Sequence, residues 1–317
     1  MLEMANIRDI AKHAGVSVST VSRVLNDYPY VSNEKKLKVL SAMEALNYIP
    51  NHLAVNLSLG KSRVIAVVFP WITNPYYLRI LEGAIKQASK YAYHIIVIET
   101  HYEEPEELKV LDMLKHRSID GIIFITKELS IETICSYEQY GPIVLMEKND
   151  YLPYVFIDQY KAMKKALDYL VQEGYKKIGY SVHRKNGFSA NARAKAYATL
   201  PKNMQYKAFV YVSGLSLMEG KSLAQNILNQ STLPDAIIVT NDAHCAGIYA
   251  EFQNRGIKVP EDIALISYEN GELSLINDIT SIDLPLAEMG ERSVDLILTD
   301  TAKSEELPSK LIIRRST

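Results

Sequence analysis

Asn6-Ile7-Arg8-Asp9-Ile10-Ala11-Lys12-His13-Ala14-Gly15-Val16-Ser17-Val18-Ser19-Thr20-Val21-Ser22-Arg23-Val24-Leu25-Asn26 decides how the N-terminal part of this chain folds. Ile7, Ile10 and Ala11 recur at helical spacing and give a short first helix one apolar face. Gly15 supplies a left-handed turn at little steric cost, and Val16 closes the corner behind it. Ser17 is placed to cap a second helix over 18–25. There Val21, Val24 and Leu25 face inward, leaving Val18, Ser19, Ser22 and Arg23 outside. A short polar face with one arginine and several hydroxyls suits a recognition helix in a major groove. The spacing alone fits a helical protein-interaction module as well.

Working outward, Ser32 is placed to cap a third helix running through Leu46, with Glu34 in its first turn, where the helix dipole favours an acid. Val39, Met43 and Leu46 would close a small core against the first two helices. Pro50 ends regular structure. Asn51–Leu59 is a short amphipathic segment stopped by Gly60, too short to hold a helix unless it packs on something. Its Leu53, Leu57 and Leu59 speak against a plain flexible linker, which seldom exposes apolar side chains.

The opening string, with Val31-Ser32 and Asn47-Tyr48-Ile49-Pro50-Asn51, strongly resembles the headpiece of the lactose/galactose-repressor (LacI/GalR) family. The resemblance implies a helix-turn-helix headpiece over 4–50, a hinge helix over 51–60, and a homodimer on a pseudopalindromic operator. It makes Arg23 a base-edge contact and Ser17, Thr20 and Ser22 phosphate contacts. It adds Val18, Ser19, Asn26, Tyr30, Ser32 and Asn51 to the DNA-facing set. In the resembled family the hinge folds on the operator and wedges a leucine into the minor groove, kinking the duplex. Leu57 holds that place here.

Beyond Lys61 the texture changes. Short Val- and Ile-rich runs at Val64–Phe69, Ile95–Ile98, Gly121–Ile125, Ile143–Met146, Lys177–Tyr180, Phe209–Val212, Ala236–Thr240 and Ile263–Ser267 predict strands. Between them Ile80–Tyr91, Glu106–His116, Met163–Glu173, Leu217–Leu228 and Ala243–Arg255 read as helices. Such alternation builds parallel sheets covered on both faces, and its length suits two doubly wound lobes better than one. Ligands in these sheets bind beyond the carboxyl ends of the strands.

The resemblance continues through Asn74-Pro75-Tyr76-Tyr77, Asp120-Gly121-Ile122-Ile123, Thr240-Asn241-Asp242 and Glu288-Met289-Gly290 to Arg314-Arg315-Ser316-Thr317. It implies a periplasmic-binding-protein-like effector and dimerisation domain over 61–317. One lobe would span about 61–159 plus 285–317, the other about 160–284. Carried over by position, the effector residues are Asn74, Tyr76, Tyr77, Asn191, Arg193, Asn241, Asp242 and Glu269. Aromatic faces framed by amides and carboxylates suit a sugar or sugar phosphate. Asn241-Asp242 fits the cap of the following helix equally well. The chain departs from the family pattern at Tyr268-Glu269-Asn270, where many members have an aromatic and two aspartates. It departs again at Arg193-Ala194-Lys195-Ala196-Tyr197. In related catabolite regulators a serine-phosphorylated phosphocarrier protein docks outside the cleft, so the resemblance leaves open a small molecule, that protein, or both.

Composition sets the outer limits. The 317 residues are 48% hydrophobic and 23% charged, with a formal net charge of −2, so any affinity for DNA must be local. No apolar run approaches bilayer length and no leader opens the chain, which points to the cytoplasm. Cys135 and Cys245 stand apart, and the seven histidines show no ligand spacing, so neither metal nor cofactor is expected. Gly60-Lys61-Ser62 lacks the upstream glycine of a phosphate loop, and no GxGxxG opens the first lobe. No acid/base or nucleophile constellation converges, so an enzyme is not expected. A solute-binding protein of the same fold is the alternative, but it would need an export signal and no headpiece.

Overall fold

The computed structural model describes residues 5–25, 28–48, 60–299 and 303–317. Asn26, Asn51 and Leu57, and with them nearly all of the hinge segment, lie outside those residues.

The headpiece is three helices. In α1 (Ile7–Ala14) the Asn6 side chain accepts from the backbone of Arg8 and Asp9, while Asp9 takes the Asn6 N–H in return at 2.9 Å. That reciprocal cap satisfies donors a helix start otherwise leaves free. Gly15, at φ +65°, ends α1 in the left-handed conformation expected of it. Ser17 Oγ accepts the Thr20 N–H at 3.2 Å and starts α2 (Val18–Leu25). Ser32 stands in the cap position of α3 (Asn33–Ala45), but its hydroxyl makes no capping bond. Ile10, Ala11, Val21, Val24, Val39 and Ala42 form the buried core, with Met43 and Leu46 packed at its edge.

The body opens with a four-stranded parallel sheet in the order β2-β1-β3-β4: β1 (Val64–Phe69), β2 (His94–Glu99), β3 (Gly121–Phe124) and β4 (Ile143–Leu145). β1 lies inside the sheet, so its five residues from Ile65 are buried. Between these strands run α4 (Pro75–Lys90), α5 (Glu104–Lys115) and α6 (Ile131–Cys135). α4 starts five residues before the apolar periodicity suggests, because Asn74 caps it and Pro75 fills its first turn. β5 (Val155–Phe156) precedes α7 (Gln159–Gln172).

The second sheet is built from β6 (Ile178–Val182), β7 (Val210–Val212), β8 (Ala236–Ile238), β9 (Ala264–Glu269) and β10 (Thr280–Asp283). Its helices are α8 (Phe188–Tyr197), α9 (Leu217–Leu228), α10 (Asp242–Asn254) and the short α11 (Glu272–Ile276). After β10, α12 (Leu286–Leu298) returns to pack along α4 in the first lobe. β11 (Glu305–Glu306) pairs with β5, and β12 (Lys310–Ile312) joins β10 antiparallel. The full order is β12-β10-β9-β8-β6-β7.

The segment 285–317, expected whole in the first lobe, is therefore shared between the two. Its end is anchored to the second sheet by hydrogen bonds: Ser316 Oγ accepts from Thr280 N at 2.8 Å and donates to the Leu265 carbonyl at 2.6 Å. No helix among the described residues is long and apolar enough to cross a membrane.

Candidate functional site

The strands of both sheets aim their carboxyl ends at one cleft of about 400 Å³. Asn74, Tyr76, Tyr77, Arg193, Asn241 and Glu269 line it, as the sequence suggested; Asn191 and Asp242 do not. Asn191 lies on an exposed part of α8. Asp242 is buried and accepts from Ser267 Oγ and the Gly271 N–H, both at 2.5 Å. It ties the turn after β9 to the start of α10, and burial pushes its carboxyl above the usual range.

The two cleft asparagines are also helix caps. Asn74 Oδ1 accepts the Tyr76 N–H at 3.0 Å, and Asn241 Oδ1 accepts the His244 N–H at 2.9 Å. Asn241 Nδ2 donates to the Leu215 carbonyl at 3.1 Å. The capping reading of Asn241 thus holds alongside its place in the lining. Tyr77 stacks on Phe69 with ring centroids 5.5 Å apart, and Tyr76 meets Tyr77 edge to face. Burial, with Glu269 adding, pushes the Tyr76 hydroxyl up to about 12, so it is a neutral donor.

Arg193 is 8% exposed, and its guanidinium lies 3.8 Å from the centre of the Tyr268 ring. Its Nη1 donates to Thr240 Oγ1 at 3.1 Å and Nη2 to Gln159 Oε1 at 3.3 Å. Its buried Nε has no partner among the described residues, and the two bonds given use only two of the guanidinium's five N–H groups. Glu269 faces it from the end of β9. The backbone there is left-handed, φ +99° at Glu269 and +53° at Asn270, and the Glu269 carbonyl accepts from Arg79 Nη1 at 2.6 Å. Burial, then the neighbouring Asp242, raises the Glu269 carboxyl to about 8 against the pull of Arg79 and Arg193. Near neutrality it is mostly the protonated acid, able both to donate and to accept.

Sequence reasoning missed Tyr102, Lys127, Glu128, Glu147, Gln159, His183, Arg184 and Phe188, all in the lining. Most of them stand within four residues of a strand's carboxyl end, and that position is the signal that could have found them.

At the other end of the chain the outer face of α2 presents a web of hydroxyls: Ser17 Oγ lies 2.8 Å from Ser19 Oγ and 2.9 Å from Thr20 Oγ1. Val18 and Arg23 are exposed beside them, Ser22 is half-buried, and Tyr30 is 88% exposed. Residues 6–48 carry six Lys/Arg against four Asp/Glu, a local positive balance within a chain of net charge −2. A helix-turn-helix presenting such a face, borne by a two-lobed α/β body with a polar cleft, defines a ligand-responsive DNA-binding regulator.

Residues 6–51 match the family described as bacterial regulatory proteins, lacI family, and residues 62–317 the periplasmic binding proteins and sugar binding domain of the LacI family. The chain belongs to the LacI family of DNA-binding transcriptional regulators, which are not enzymes. It is 37% identical to the HTH-type transcriptional regulator YkvZ of Bacillus subtilis, over 99% of this chain and all of that one. It is 32% identical to catabolite control protein B of the same organism, over 94% and 95% of the two chains. The lac repressor dimer bound to operator and the anti-inducer ONPF superposes with a TM-score of 0.86 at 25% identity, covering 99% of both chains.

Proposed function

We propose that this regulator is a cytoplasmic homodimeric repressor in sugar or catabolite control, whose hold on a pseudopalindromic operator is set by a polyhydroxylated effector in the cleft. The observation that carries the reading is that the half-satisfied Arg193 of α8 and the protonated Glu269 at the end of β9 line one cleft with Tyr76 and Tyr77. Spare guanidinium N–H groups, one acid and aromatic faces together suit a hydroxylated ring.

In this reading Arg23 reads base edges, and Ser17, Ser19, Thr20, Ser22, Tyr30 and Ser32 contact the backbone around them. Asn26, Asn51 and Leu57 complete the set, with Leu57 in the minor groove. The headpiece ends near 50 and the sensing body begins near 61. Dimerisation is supported by apolar side chains left at the surface of both lobes, Leu78 and Ile85 on α4 and Met218, Leu275 and Ile276 on the second. A serine-phosphorylated phosphocarrier protein is the second signal to be tried.

The test is a DNase footprint of the full-length protein, repeated with a panel of sugars, sugar phosphates and that carrier protein. The expected result is a protected pseudopalindrome whose occupancy one neutral sugar changes. No preference for any palindromic duplex over random DNA, with every signal tried, overturns the reading.

A further inference from the structure

Of the four glutamates between 103 and 107, Glu103, Glu104 and Glu106 reach solvent, whereas Glu107 is 1% exposed. It stands in the first turn of α5, outside the cleft lining, and its carboxyl meets the turn that follows β3. Oε1 accepts the Glu128 N–H at 2.9 Å, and Oε2 accepts the Leu129 N–H at 2.9 Å. One side chain thus satisfies two successive backbone donors of a turn. Burial lifts the Glu107 carboxyl above the usual range, against the pull of those N–H groups and of Lys127. Burying an acid there costs desolvation, which the charge-assisted bonds offset while they fix the backbone at 128–129.

That backbone carries the first lobe's half of a contact across the cleft. Glu128 Oε1 accepts from Arg184 Nη1 of the second lobe at 2.8 Å, and the Arg184 guanidinium lies 4.0 Å from the Tyr102 ring centre. Lys127 secures the same turn from its other side, pairing with Glu147 Oε1 at 3.2 Å and donating to the Leu129 carbonyl at 3.2 Å. Trp71 stands beside the contact, edge to face with Tyr102 of its own lobe and His183 of the other, with ring centroids 5.0 and 5.9 Å away. The second lobe repeats the arrangement: buried Asp242, also outside the lining, accepts the Gly271 N–H and holds the turn that presents Glu269.

The Arg184 and Glu128 side chains are 37% and 31% exposed. A pair so open to water contributes little unless its partners are held in place, because ordering two long side chains offsets their attraction. We infer that Glu107 is the positioning residue for closure of the cleft: by fixing the turn at 127–129 it aims Glu128 at Arg184, and so sets how firmly the two lobes meet over an effector. It touches neither Arg184 nor the cleft and acts through Glu128. The role toward an effector rests on the effector reading of the cleft; the contact between the lobes does not, and it is what the experiment reads.

The test uses the full-length protein without ligand or DNA and follows acrylamide quenching of Trp71, the sole tryptophan. Glu107→Ala and Glu128→Ala should each raise the quenching constant about twofold, by populating the open cleft. The double variant should show no more quenching than Glu128→Ala alone, since one residue acts through the other. Glu107→Gln keeps one acceptor and should fall between wild type and Glu107→Ala; it carries the comparison if the alanine variant fails to fold. Leu114→Val is the control for a general loosening of the lobe. Leu114 is buried on the same helix, but it packs at Gly141, before β4 and away from the cleft, so its quenching should match wild type.

Wild-type quenching in both Glu107 variants, or in Glu128→Ala, overturns the inference. Additive rises in the double variant overturn it too, because Glu107 would then act by a route other than Glu128. An equal rise in Leu114→Val would make Glu107 an ordinary part of the lobe's packing. An operator gel shift of the wild-type protein tests the regulator reading by itself, and its failure would leave the quenching result standing.

Discussion

Gly83 and Gly290 meet where α4 crosses α12: a Cβ on Gly83 would stand 1.8 Å from the Ala287 carbonyl oxygen, and one on Gly290 2.0 Å from that of Ile80. Both obstacles are backbone, so no side chain can swing aside. The second lobe repeats the device, with Gly220 against the His244 carbonyl at 2.1 Å and Gly247 against that of Leu217 at 2.0 Å. Within a helix a glycine costs about 1 kcal/mol relative to alanine, and here the close approach of two helices offsets that cost. Gly83→Ala and Gly290→Ala should each destabilise the protein by about 2–3 kcal/mol, the overpacking outweighing the gain in helix propensity. Urea denaturation of the full chain measures it. Wild-type stability in either variant would mean that the helices can part freely.

Glu269 should give the protein a distinctive pH profile. Its carboxyl, raised by burial to about 8, holds in the folded state a proton that the unfolded chain releases near 4.5. The stability this contributes is therefore fully present below 4.5 and is lost as pH climbs through about 8. Asp242, raised by burial in the same direction, adds to the slope. Glu269→Gln removes the larger titration, so its unfolding free energy should fall less steeply than that of wild type across this window. Parallel profiles from chemical denaturation at a series of pH values would show that Glu269 titrates normally.

The Val- and Ile-rich strands β1, β3, β8 and β9 were legible in sequence because their burial on both faces leaves continuous apolar runs. β10 was not, since Thr280-Ser281-Ile282-Asp283 looks like a turn. Its hydroxyls are satisfied by residues distant in the chain: Thr280 Oγ1 accepts from Arg314 N at 2.9 Å, and Ser281 Oγ from Asn270 N at 3.0 Å. Single-sequence periodicity carries no trace of such partners. The cleft divides the same way. Arg193, Asn241 and Glu269 were reached through a family pattern, the last two just past or at strand ends and Arg193 on α8. The Arg184–Glu128 pair, 56 residues apart in the chain, exists only because the lobes face each other. Asp242 goes the other way: carried over as an effector residue, it stands outside the lining, and its carboxyl accepts from Ser267 and Gly271.

Arg193 separates a structural from a sensing role. Arg193→Ala strips a partner from buried Gln159 and Thr240 and a cation from Tyr268, and should cost about 1–3 kcal/mol of stability. Arg193→Lys keeps the charge but loses the planar fork that serves Thr240, Gln159 and the ligand together. The lysine variant should bind operator as wild type does, yet need about tenfold more effector for the same change in occupancy. An unchanged effector midpoint in a fluorescence-anisotropy titration would remove Arg193 from the ligand shell.

Arg23 tests the reading head. It sits exposed in the last turn of α2, with its guanidinium 5.8 Å from the Tyr28 ring centre. Its bidentate contact to a guanine edge would supply about 1–3 kcal/mol of discrimination. Arg23→Ala should therefore flatten the penalty for base changes at one position of each half-site. Its weak binding to random DNA should fall only modestly, since the phosphate contacts stay. Far-UV circular dichroism guards against unfolding, because Arg23 lies outside the core of Ile10, Val21 and Val39. Leu57→Ala is the complement: it should spare base preference at the half-sites while reducing the operator bend, because a leucine wedge acts by unstacking one base step. A circular-permutation gel reads the bend directly. Undiminished bending with Leu57→Ala, or unchanged selectivity with Arg23→Ala, would withdraw the corresponding role from that residue.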